Sequence, residues 1–273
     1  MEIKIYQICY SAETMEKIPN GFLLLDNLKN QRPDWREYWA IRNFLINNNL
    51  SDDALYGFFS PKFSQKTNLD FKKIQDFLLL KYKGEDVVSF SPFWDLMGVF
   101  KNTFEQGDFF HPGLMEVCQN FADEHLCGID VKGAVTHSGN TIFCNYFLAK
   151  KSFWKEWLVM GEKLFHLSET QESGLAVRLN EVTNYGVERV PMKVFVQERV
   201  ATICLLINKN FNCLNYNSFD IGSSTTMFNT FRSESILSDA LKRIFTETGH
   251  QVYLDEFYNI RNNIIGKLNG QSS

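Results

Sequence analysis

The sequence lacks the motifs of several common enzyme classes. It contains no GxGxxG or Walker A loop for nucleotide phosphates, no GxSxG nucleophile elbow and no HExxH zinc motif. Its six cysteines are scattered and none belongs to a CxxC pair, so the pattern predicts neither a zinc site nor a disulfide framework. We therefore expect free thiols that act as small apolar side chains in a reducing compartment.

Clustered positive charge and long apolar runs are absent as well. The formal net charge is −4, the isoelectric point is near 5.8, and no block of basic residues occurs. Nucleic-acid binding is disfavoured, because its affinity depends on Lys and Arg side chains that neutralise phosphates. No stretch approaches the roughly 18 apolar residues of a membrane span, and the first residues do not resemble a signal peptide. These absences predict a soluble protein of the cytoplasm.

The sequence does contain enough apolar material for a sizeable core, with 44% hydrophobic residues and 25 phenylalanines among 273 residues. Strand patterns alternate along the chain with helical periodicity. The strongest helix start is at Asp34, where Glu37 suggests a capping box. Strands are predicted at 2–10, 54–59, 86–90 and 141–149, and helices at 34–46, 70–82, 96–104, 114–125, 152–167 and 192–208. This order predicts an α/β fold with an open sheet flanked by helices.

A polar stretch after residue 210 separates this pattern from two helices near the end of the chain. We predict a domain over residues 1–210 and a helical C-terminal extension over residues 211–273. The helix at 255–268 carries Phe257, Ile260 and Ile264 at helical spacing. Such an apolar face favours packing on the domain or on a second subunit.

The topology indicates where a ligand would bind, because ligands of open α/β sheets sit at the carboxyl ends of the strands. The first candidate positions are Asp26 and Asn27, residues 60–62, residues 91–95 and the turn after Ala149. His111 lies in the segment 105–113, which we interpret as a loop between helices. Its glycines and proline are equally typical of a functional loop and of an ordinary connection.

Paired carboxylates for a divalent metal are not evident. The chain has no Asp-x-Asp pair, the usual metal clamp of nucleotide-sugar transferases. The adjacent acids at 52–53 and 123–124 diverge on a strand or a helix, so they bridge one ion poorly. A requirement for Mn²⁺ or Mg²⁺ stays open. Alternative partners for a diphosphate are Lys62, Lys66 and residues 150–151. Lysines at such positions are, however, more often simply exposed to solvent.

Four short segments, taken together, carry a resemblance to a known family. They are REYWAIRN at 36–43, DDALYGFFSPKF at 52–63, NYFLAKKSF at 145–153 and VQERV at 196–200. In order and spacing they resemble bacterial surface-polysaccharide glycosyltransferases, especially the galactofuranosyltransferase family formerly described as a domain of unknown function. The resemblance covers about residues 1–210. It departs from the family at Ser60-Pro61-Lys62-Phe63, where the family has His-Tyr-Arg-Arg, and this difference concerns the donor and its phosphate contacts.

The resemblance implies a GT-A-like fold, with an open mixed sheet flanked by helices, and a glycosyltransferase activity. The donor would be a nucleoside-diphosphate sugar, with uridine as the expected base and a furanose such as galactofuranose as one candidate sugar. The acceptor would be a growing capsule or lipopolysaccharide glycan, or a polyprenyl-linked oligosaccharide, and the transfer would invert the anomeric centre. A lipid-linked acceptor would bring the enzyme to the inner face of the inner membrane through a peripheral contact. A homo-oligomer and a fusion to other capsule-synthesis domains are both compatible with this interpretation.

The resemblance and the predicted strand ends together suggest residues for the donor. Asp26, Asn27 and Glu37 would contact the nucleotide and its ribose. Lys62 and Arg199 would stabilise the departing diphosphate. The alternative for Arg199 is a purely structural role, in which Glu198 and Arg199 form an ion pair on a helix surface.

The same reasoning suggests residues for catalysis and for the acceptor. Asp95 is the candidate base that takes the proton of the acceptor hydroxyl, and Glu198 is its rival. Trp94 offers a face on which a sugar could stack, and Asn145 would bind the acceptor. His111 would serve either acceptor binding or phosphate neutralisation.

The chief alternative function is a non-catalytic module that positions the acceptor or assembles a larger capsule polymerase. The missing Asp-x-Asp pair and the altered segment at 60–63 favour it, whereas the many polar residues at predicted strand ends oppose it. A phospho- or acyltransferase is disfavoured, because no activated Ser, Cys or His pair is evident.

Overall fold

The computed structural model describes residues 2–126, 128–170, 172–186 and 188–270. The strands are β1 (Glu2–Cys9), β2 (Leu23–Asp26), β3 (Ala54–Phe59), β4 (Val87–Ser89), β5 (Phe147–Ala149), β6 (Val182–Tyr185), β7 (Glu188–Pro191) and β8 (Cys213–Asn215). The first seven α-helices are α1 (Ala12–Glu16), α2 (Glu37–Asn47), α3 (Phe63–Thr67), α4 (Phe71–Lys81), α5 (Trp94–Val99), α6 (Thr103–Phe110) and α7 (Leu114–His125). They are followed by α8 (Lys151–Thr170), α9 (Gly174–Asn180), α10 (Met192–Gln197), α11 (Val200–Ile207), α12 (Arg232–Thr248) and α13 (Gln251–Gly270). Short 3₁₀ turns occur at Pro33–Trp35, Ser218–Asp220 and Met227–Thr230.

Six strands form one mixed sheet in the order β2-β1-β3-β5-β4-β8, and β6 pairs with β7 in a separate hairpin. β1 is parallel to β2 and to β3, and β4 is parallel to β8. β5 lies antiparallel between β3 and β4. The carboxyl ends of the five parallel strands therefore lie at one edge of the sheet, where β5 begins. The structure confirms the predicted fold class, which is α/β with an open mixed sheet flanked by helices.

Helices cover both faces of the sheet. β3 is buried at all six positions, because its alternate side chains pack into two different apolar clusters. Tyr56 and Phe58 pack with side chains of α2, α7, α8 and α11. Leu55 and Phe59 pack on the other face with side chains of α3 and α4. A strand that is covered on both sides reads as a continuous apolar run, which is why the sequence pattern located it correctly.

The predicted capping box at Asp34 is wrong. α2 begins at Glu37, after a 3₁₀ turn at Pro33–Trp35 and after Arg36, whose φ is +49°. The Asp34 carboxylate does not cap the helix, because it accepts hydrogen bonds from the Arg32 guanidinium at 2.9 and 2.8 Å and from the Lys193 ammonium at 2.7 Å. Tertiary partners therefore displace a local interaction that the sequence alone suggested.

Two other predicted elements are shorter than expected. The strand predicted at 141–149 is reduced to Phe147–Ala149, because Cys144 and Asn145 have φ values of +60° and +53° and form a turn before it. The helix predicted at 192–208 divides into α10 and α11 at Glu198 and Arg199. Both interruptions lie beside the cleft described below.

The segment around His111 is mainly helical and not a loop. Asn102 caps α6 by accepting a hydrogen bond from the Glu105 amide at 2.8 Å, and the helix continues to Phe110. His111 follows the last helical residue, and α7 begins after Gly113. Gly107 lies inside this helix, and its lack of a Cβ leaves room for the side chain of Arg199.

The cysteines behave as the sequence predicts. Within the described residues Cys9, Cys118, Cys144, Cys204 and Cys213 are free, and Cys127 lies outside those residues. Burial raises the pKa of the Cys118 and Cys213 thiols to about 12. Buried thiols of this kind are poor nucleophiles.

The chain after residue 210 is part of the main architecture and not a purely helical extension. β8 joins the sheet beside β4, a contribution that three residues do not reveal in the sequence. α12 packs against α5, where the buried Lys242 ammonium donates hydrogen bonds to the carbonyls of Met97 at 2.5 Å and Phe100 at 2.7 Å. These carbonyls lie at the end of α5, so Lys242 satisfies acceptors that the helix leaves open.

The contact between α5 and α12 depends on a glycine. A Cβ atom at Gly98 would lie 2.4 Å from Ser235 Cβ and 2.7 Å from Ser235 Cα. Because backbone of α12 would have to move, we expect Gly98→Ala to lower the free energy of unfolding by about 1–3 kcal/mol. Urea denaturation followed by circular dichroism measures this change.

The matched control for this substitution is Gly266→Ala in the exposed part of α13. No atom of the described part of the chain lies within 4 Å of the position that a Cβ would take at Gly266. The control should be neutral or should stabilise the protein by up to about 1 kcal/mol, because alanine favours helix. Equal destabilisation by both substitutions would contradict the proposed tight packing of α5 on α12.

Candidate functional site

A cleft of about 550 Å³ opens at the carboxyl edge of the sheet. Its walls come from the residues that follow β1, β2 and β3, from the turn before β5, from the start of α2 and from the segment that joins β7 to α10. This position is the one at which open α/β sheets bind ligands. The cleft is therefore the candidate functional site.

Charged side chains of both signs line the cleft. The cations are Arg36, Lys62, Lys66 and Arg189. The acids are Asp34, Glu37 and Glu198. Because the Asp34 carboxylate is occupied by ion pairs with Arg32 and Lys193, the cleft can present several cations to an anionic ligand and keep a separate carboxylate for other chemistry.

A buried network of charges holds one wall of the cleft. The Lys193 side chain is only 4% exposed, and its ammonium donates hydrogen bonds to Asp34 at 2.7 Å and to Asn180 at 2.9 Å. Arg32 bridges Asp34 and Glu169, which links the 3₁₀ turn to α8. Burial alone would raise the pKa of Asp34, but the hydrogen bonds from Arg32 and Lys193 lower it to about 2.

Arg36 connects this network to the cleft. Its backbone has φ +49° and ψ −133°, a conformation that an arginine adopts only under tertiary constraint. Its guanidinium forms an ion pair with Glu188 of β7. The strained residue thereby brings a cation to the first turn of α2, which has no side-chain cap.

The turn before β5 forms another wall. Phe143 accepts a hydrogen bond from the Tyr146 amide at 3.2 Å across Cys144 and Asn145, which both have positive φ. This is the geometry of a type I′ turn, which normally favours glycine or asparagine. The Tyr146 hydroxyl lies 2.7 Å from Ser60 Oγ, and the Lys66 ammonium lies 3.3 Å from Cys144 Sγ. These contacts fix the turn against the loop that follows β3.

Glu198, like Glu37, is a carboxylate of the cleft that takes no part in the Asp34 network. Burial raises its pKa; the Arg199 guanidinium opposes this shift and the Glu37 carboxylate adds to it. None of the residues that the structure describes donates a hydrogen bond to this carboxylate. A carboxylate with a raised pKa in a cleft is the kind of group that enzymes use to accept or donate protons.

Arg199 lies behind Glu198 and does not line the cleft. Its guanidinium donates hydrogen bonds to the carbonyls of Thr103 at 2.9 Å and Phe195 at 2.5 Å, and to Gln106 at 3.0 Å. It forms no ion pair with Glu198. Its position therefore matches neither the predicted contact with the diphosphate nor the predicted ion pair on a helix surface. Arg199 instead joins α6 to α10 and fixes the backbone that carries Glu198.

The structure brings five of the ten residues singled out by the sequence to the cleft, and they are Asn27, Glu37, Lys62, Asn145 and Glu198. They come from five separate parts of the chain. Their shared location follows from the sheet order, because β1, β2, β3 and β5 are neighbours.

The other five residues lie elsewhere. Asp95 is fully buried and its carboxylate accepts hydrogen bonds from the amide of Ser224, at 2.8 Å, and from the Ser224 hydroxyl. Trp94 is buried beside Phe219, with 6.0 Å between ring centroids. Neither side chain is placed to meet a ligand in the cleft, because both hold the segment after β8 against α5.

His111, Arg199 and Asp26 also lie outside the lining of the cleft. The His111 ring stacks on Phe195 at 3.6 Å between centroids, and Phe195 separates it from the cleft. Asp26 accepts a hydrogen bond from the Leu28 amide at 2.9 Å on the exposed surface after β2. These positions favour supporting roles for His111 and Arg199 and a turn-forming role for Asp26.

Sequence reasoning missed two cations of the cleft, Arg36 and Arg189. Arg36 stands in a segment that the resemblance quoted, but the positive φ that directs it is a tertiary property. Arg189 belongs to the β6–β7 hairpin, which has no strong strand pattern. Lys66, which the sequence offered only as one of several lysines, does line the cleft.

The described part of the chain has no group of three or more His, Cys, Asp and Glu side chains that could hold a metal ion. None of its helices is both long and apolar enough to cross a bilayer. Comparisons of the chain with protein-family models, curated proteins and solved structures gave no match.

The Asp34 network predicts a specific dependence of stability on pH. Because the pKa of Asp34 falls from 3.8 to about 2 on folding, the carboxylate stabilises the folded state above pH 4 and loses this effect as the pH falls towards 2. Asp34→Asn should lower the free energy of unfolding at pH 7 by about 2–4 kcal/mol, since it removes the carboxylate partner of the buried Lys193. The difference from wild type should shrink as the pH falls from 4, which urea denaturation at several pH values measures.

Asp76→Asn serves as the control, because it removes an exposed ion pair with Lys72 on α4. It should change stability by less than about 0.5 kcal/mol at any of these pH values. A pH-independent loss in Asp34→Asn would show that the carboxylate charge is not the stabilising feature.

Proposed function

We propose that the protein is a glycosyltransferase that binds a nucleoside-diphosphate sugar in the cleft at the carboxyl edge of the sheet. The observation that carries this proposal is the pairing of four cations with a partly buried carboxylate of raised pKa in one cleft of about 550 Å³. A diphosphate needs the cations, and an acceptor hydroxyl needs a base. The resemblance of four sequence segments to bacterial surface-polysaccharide glycosyltransferases points to the same class.

We also propose that the fold is GT-A-like. The open mixed sheet and the position of the cleft support this finer assignment. Under the same proposal uridine is the base of the donor, and the acceptor is a capsule or lipopolysaccharide glycan at the inner face of the inner membrane.

The cations have a direct role in the proposed reaction. As the bond between the anomeric carbon and the diphosphate breaks, negative charge accumulates on the leaving phosphate oxygens. Arg36, Lys62 and Arg189 come from three separate segments that surround the cleft, so they can meet this charge from different sides. Glu37, in the first turn of α2, is proposed to contact the nucleoside through its ribose hydroxyls.

Glu198 is the proposed base. In an inverting transfer the acceptor hydroxyl attacks the anomeric carbon on the face opposite the diphosphate, and a base removes its proton as the new bond forms. Burial and the Glu37 charge raise the pKa of Glu198, which makes its carboxylate a stronger proton acceptor than an exposed glutamate. Asp95 is not part of this proposal, because Ser224 occupies its carboxylate.

Nucleotide binding is the first test of this function. Uridine, guanosine, cytidine and thymidine diphosphates and their hexose conjugates should be compared in thermal-shift measurements, each with Mn²⁺, Mg²⁺ or a chelator. At least one nucleotide should raise the melting temperature, because a ligand that binds only the folded state stabilises it. No shift across the whole panel, with folded protein, would favour the non-catalytic acceptor-positioning module.

Lys62→Gln should weaken the binding of the nucleoside diphosphate roughly threefold to tenfold, because it removes one exposed charge near the phosphates. The matched control is Lys155→Gln on the exposed face of α8. It should leave affinity unchanged, and a similar loss in both variants would indicate only a general effect of net charge.

Glu198→Gln should lower the turnover of sugar transfer by about 10²–10⁴-fold and leave nucleotide affinity within about threefold. In wild type, activity should rise with pH through the raised pKa of Glu198, because the base must be deprotonated, and this limb should be lost in the variant. Glu247→Gln on α12 is the control and should retain full activity. Near-normal turnover in Glu198→Gln would exclude Glu198 as the base.

A further inference from the structure

Two buried amide side chains meet beside the cleft without satisfying each other. Asn145 is 4% exposed and Gln197 is 3% exposed. Asn145 Nδ2 lies 3.5 Å from Gln197 Oε1, which is at the outer limit of a hydrogen bond. Among the residues that the structure describes, Asn145 Oδ1 and Gln197 Nε2 have no hydrogen-bond partner. One unpaired acceptor and one unpaired donor therefore lie on adjacent amides.

The chemistry of these two atoms selects their partner. A group that satisfies both must accept a hydrogen bond from Gln197 Nε2 and donate one to Asn145 Oδ1. A hydroxyl does both, whereas an ionised phosphate oxygen only accepts and an ammonium only donates. Because unpaired buried polar atoms are rare in folded proteins, the pair indicates a place for a group that both donates and accepts, such as the hydroxyl of a sugar.

The backbone at Asn145 directs this amide to the cleft. Cys144 and Asn145 form the type I′ turn before β5 with φ values of +60° and +53°, and neither is glycine. Asparagine tolerates this region, whereas the cysteine at 144 is strained there and persists because the surrounding structure holds it, as is often seen at binding sites. Asn145 lines the cleft, and its weak contact with Gln197 leaves its amide able to rotate towards a ligand.

We propose that Asn145, with Gln197 positioned behind it, recognises a hydroxyl of a sugar bound in the cleft. This inference rests on the proposed function and adds a specificity determinant to it. Asn145 and Glu198, the proposed base, both line the cleft, so the recognised hydroxyl lies in the same cleft as the reacting centre. The hydroxyl belongs to the sugar of the donor or to the acceptor, and the experiment separates these two sources.

The test uses Asn145→Gly, because glycine adopts positive φ without strain and preserves the turn. Affinities are measured for each nucleoside diphosphate of the panel and for its hexose conjugate. If the hydroxyl belongs to the donor sugar, the affinity for the conjugate should fall about tenfold while that for the free nucleotide is unchanged. If it belongs to the acceptor, both affinities are unchanged and the KM for methyl glycosides used as acceptor probes should rise about tenfold.

Asn68→Gly is the matched control. Asn68 also has a positive φ, of +56°, but it ends α3 and does not line the cleft. It should leave both the affinities and the acceptor KM unchanged. If Asn145→Gly does not fold, Gln197→Met is the second variant, because it removes the unpaired donor without touching the turn, and the same selective loss is expected.

The outcomes separate this inference from the proposed function. If wild type binds a nucleotide sugar and Asn145→Gly changes neither the ratio of conjugate to nucleotide affinity nor the acceptor KM, the hydroxyl assignment is wrong and the proposed function stands. An equal loss for free nucleotide and conjugate would also overturn the assignment, because it indicates a general distortion of the cleft. Folded wild-type protein that binds no nucleotide would overturn the proposed function together with the assignment.

Discussion

The antiparallel strand β5 is the constraint on which the architecture depends. Ala149 pairs with Tyr56 of β3 on one side and all three residues pair with β4 on the other, so β5 joins the first parallel strands to the last two. Trp154 of α8 reinforces this junction, because its indole donates a hydrogen bond to the Tyr56 carbonyl at 3.0 Å and its ring stacks on Phe147 at 4.6 Å. Because β5 runs opposite to its neighbours, its beginning lies at the carboxyl edge of the sheet. The turn that carries Asn145 is thereby placed in the cleft.

Three buried cations fix backbone segments on and near the walls of the cleft. Lys193 fixes Asp34 and the 3₁₀ turn, Arg199 fixes the carbonyl of Phe195, and Lys242 fixes the end of α5. A buried cation without partners is strongly unfavourable, so each of them enforces the local geometry that supplies its acceptors. None of the three lines the cleft, yet two of them hold the segments that do.

The charged side chains of the cleft fall into two groups, those paired within the protein and those available to a ligand. Acids that are needed for structure, such as Asp34, are neutralised by partners and keep a low pKa. Glu198 is left without a hydrogen-bond donor from the described residues, and burial raises its pKa. Cations that would meet a ligand are carried by loops and by the β6–β7 hairpin, where they remain reachable. A folded protein thus separates structural charges from charges available for binding, which is the basis of the proposed sugar transfer.

The sequence by itself determined the alternation of strands and helices and the edge of the sheet where a ligand would bind. Periodicity located β1, β3, α4 and α7, because these elements bury one face or a continuous run of side chains. The spacing of apolar residues along the sequence reflects such burial. The resemblance, together with the predicted strand ends, singled out Asn27, Glu37, Lys62, Asn145 and Glu198, which line the cleft.

Tertiary structure decided which polar residues are structural. Asp95 and Arg199 resemble site residues in the sequence, but each is enclosed by partners more than 90 positions away in the chain, Ser224 and Thr103. Arg36 reaches the cleft because its backbone is strained, and Arg189 because it belongs to the β6–β7 hairpin. No local sequence pattern predicts either feature. Local patterns report which side of an element is buried, whereas the identity of its partner depends on how distant segments pack. For this reason the edge of the sheet that holds the cleft was predictable, whereas the fold alone decided which charged side chains line it.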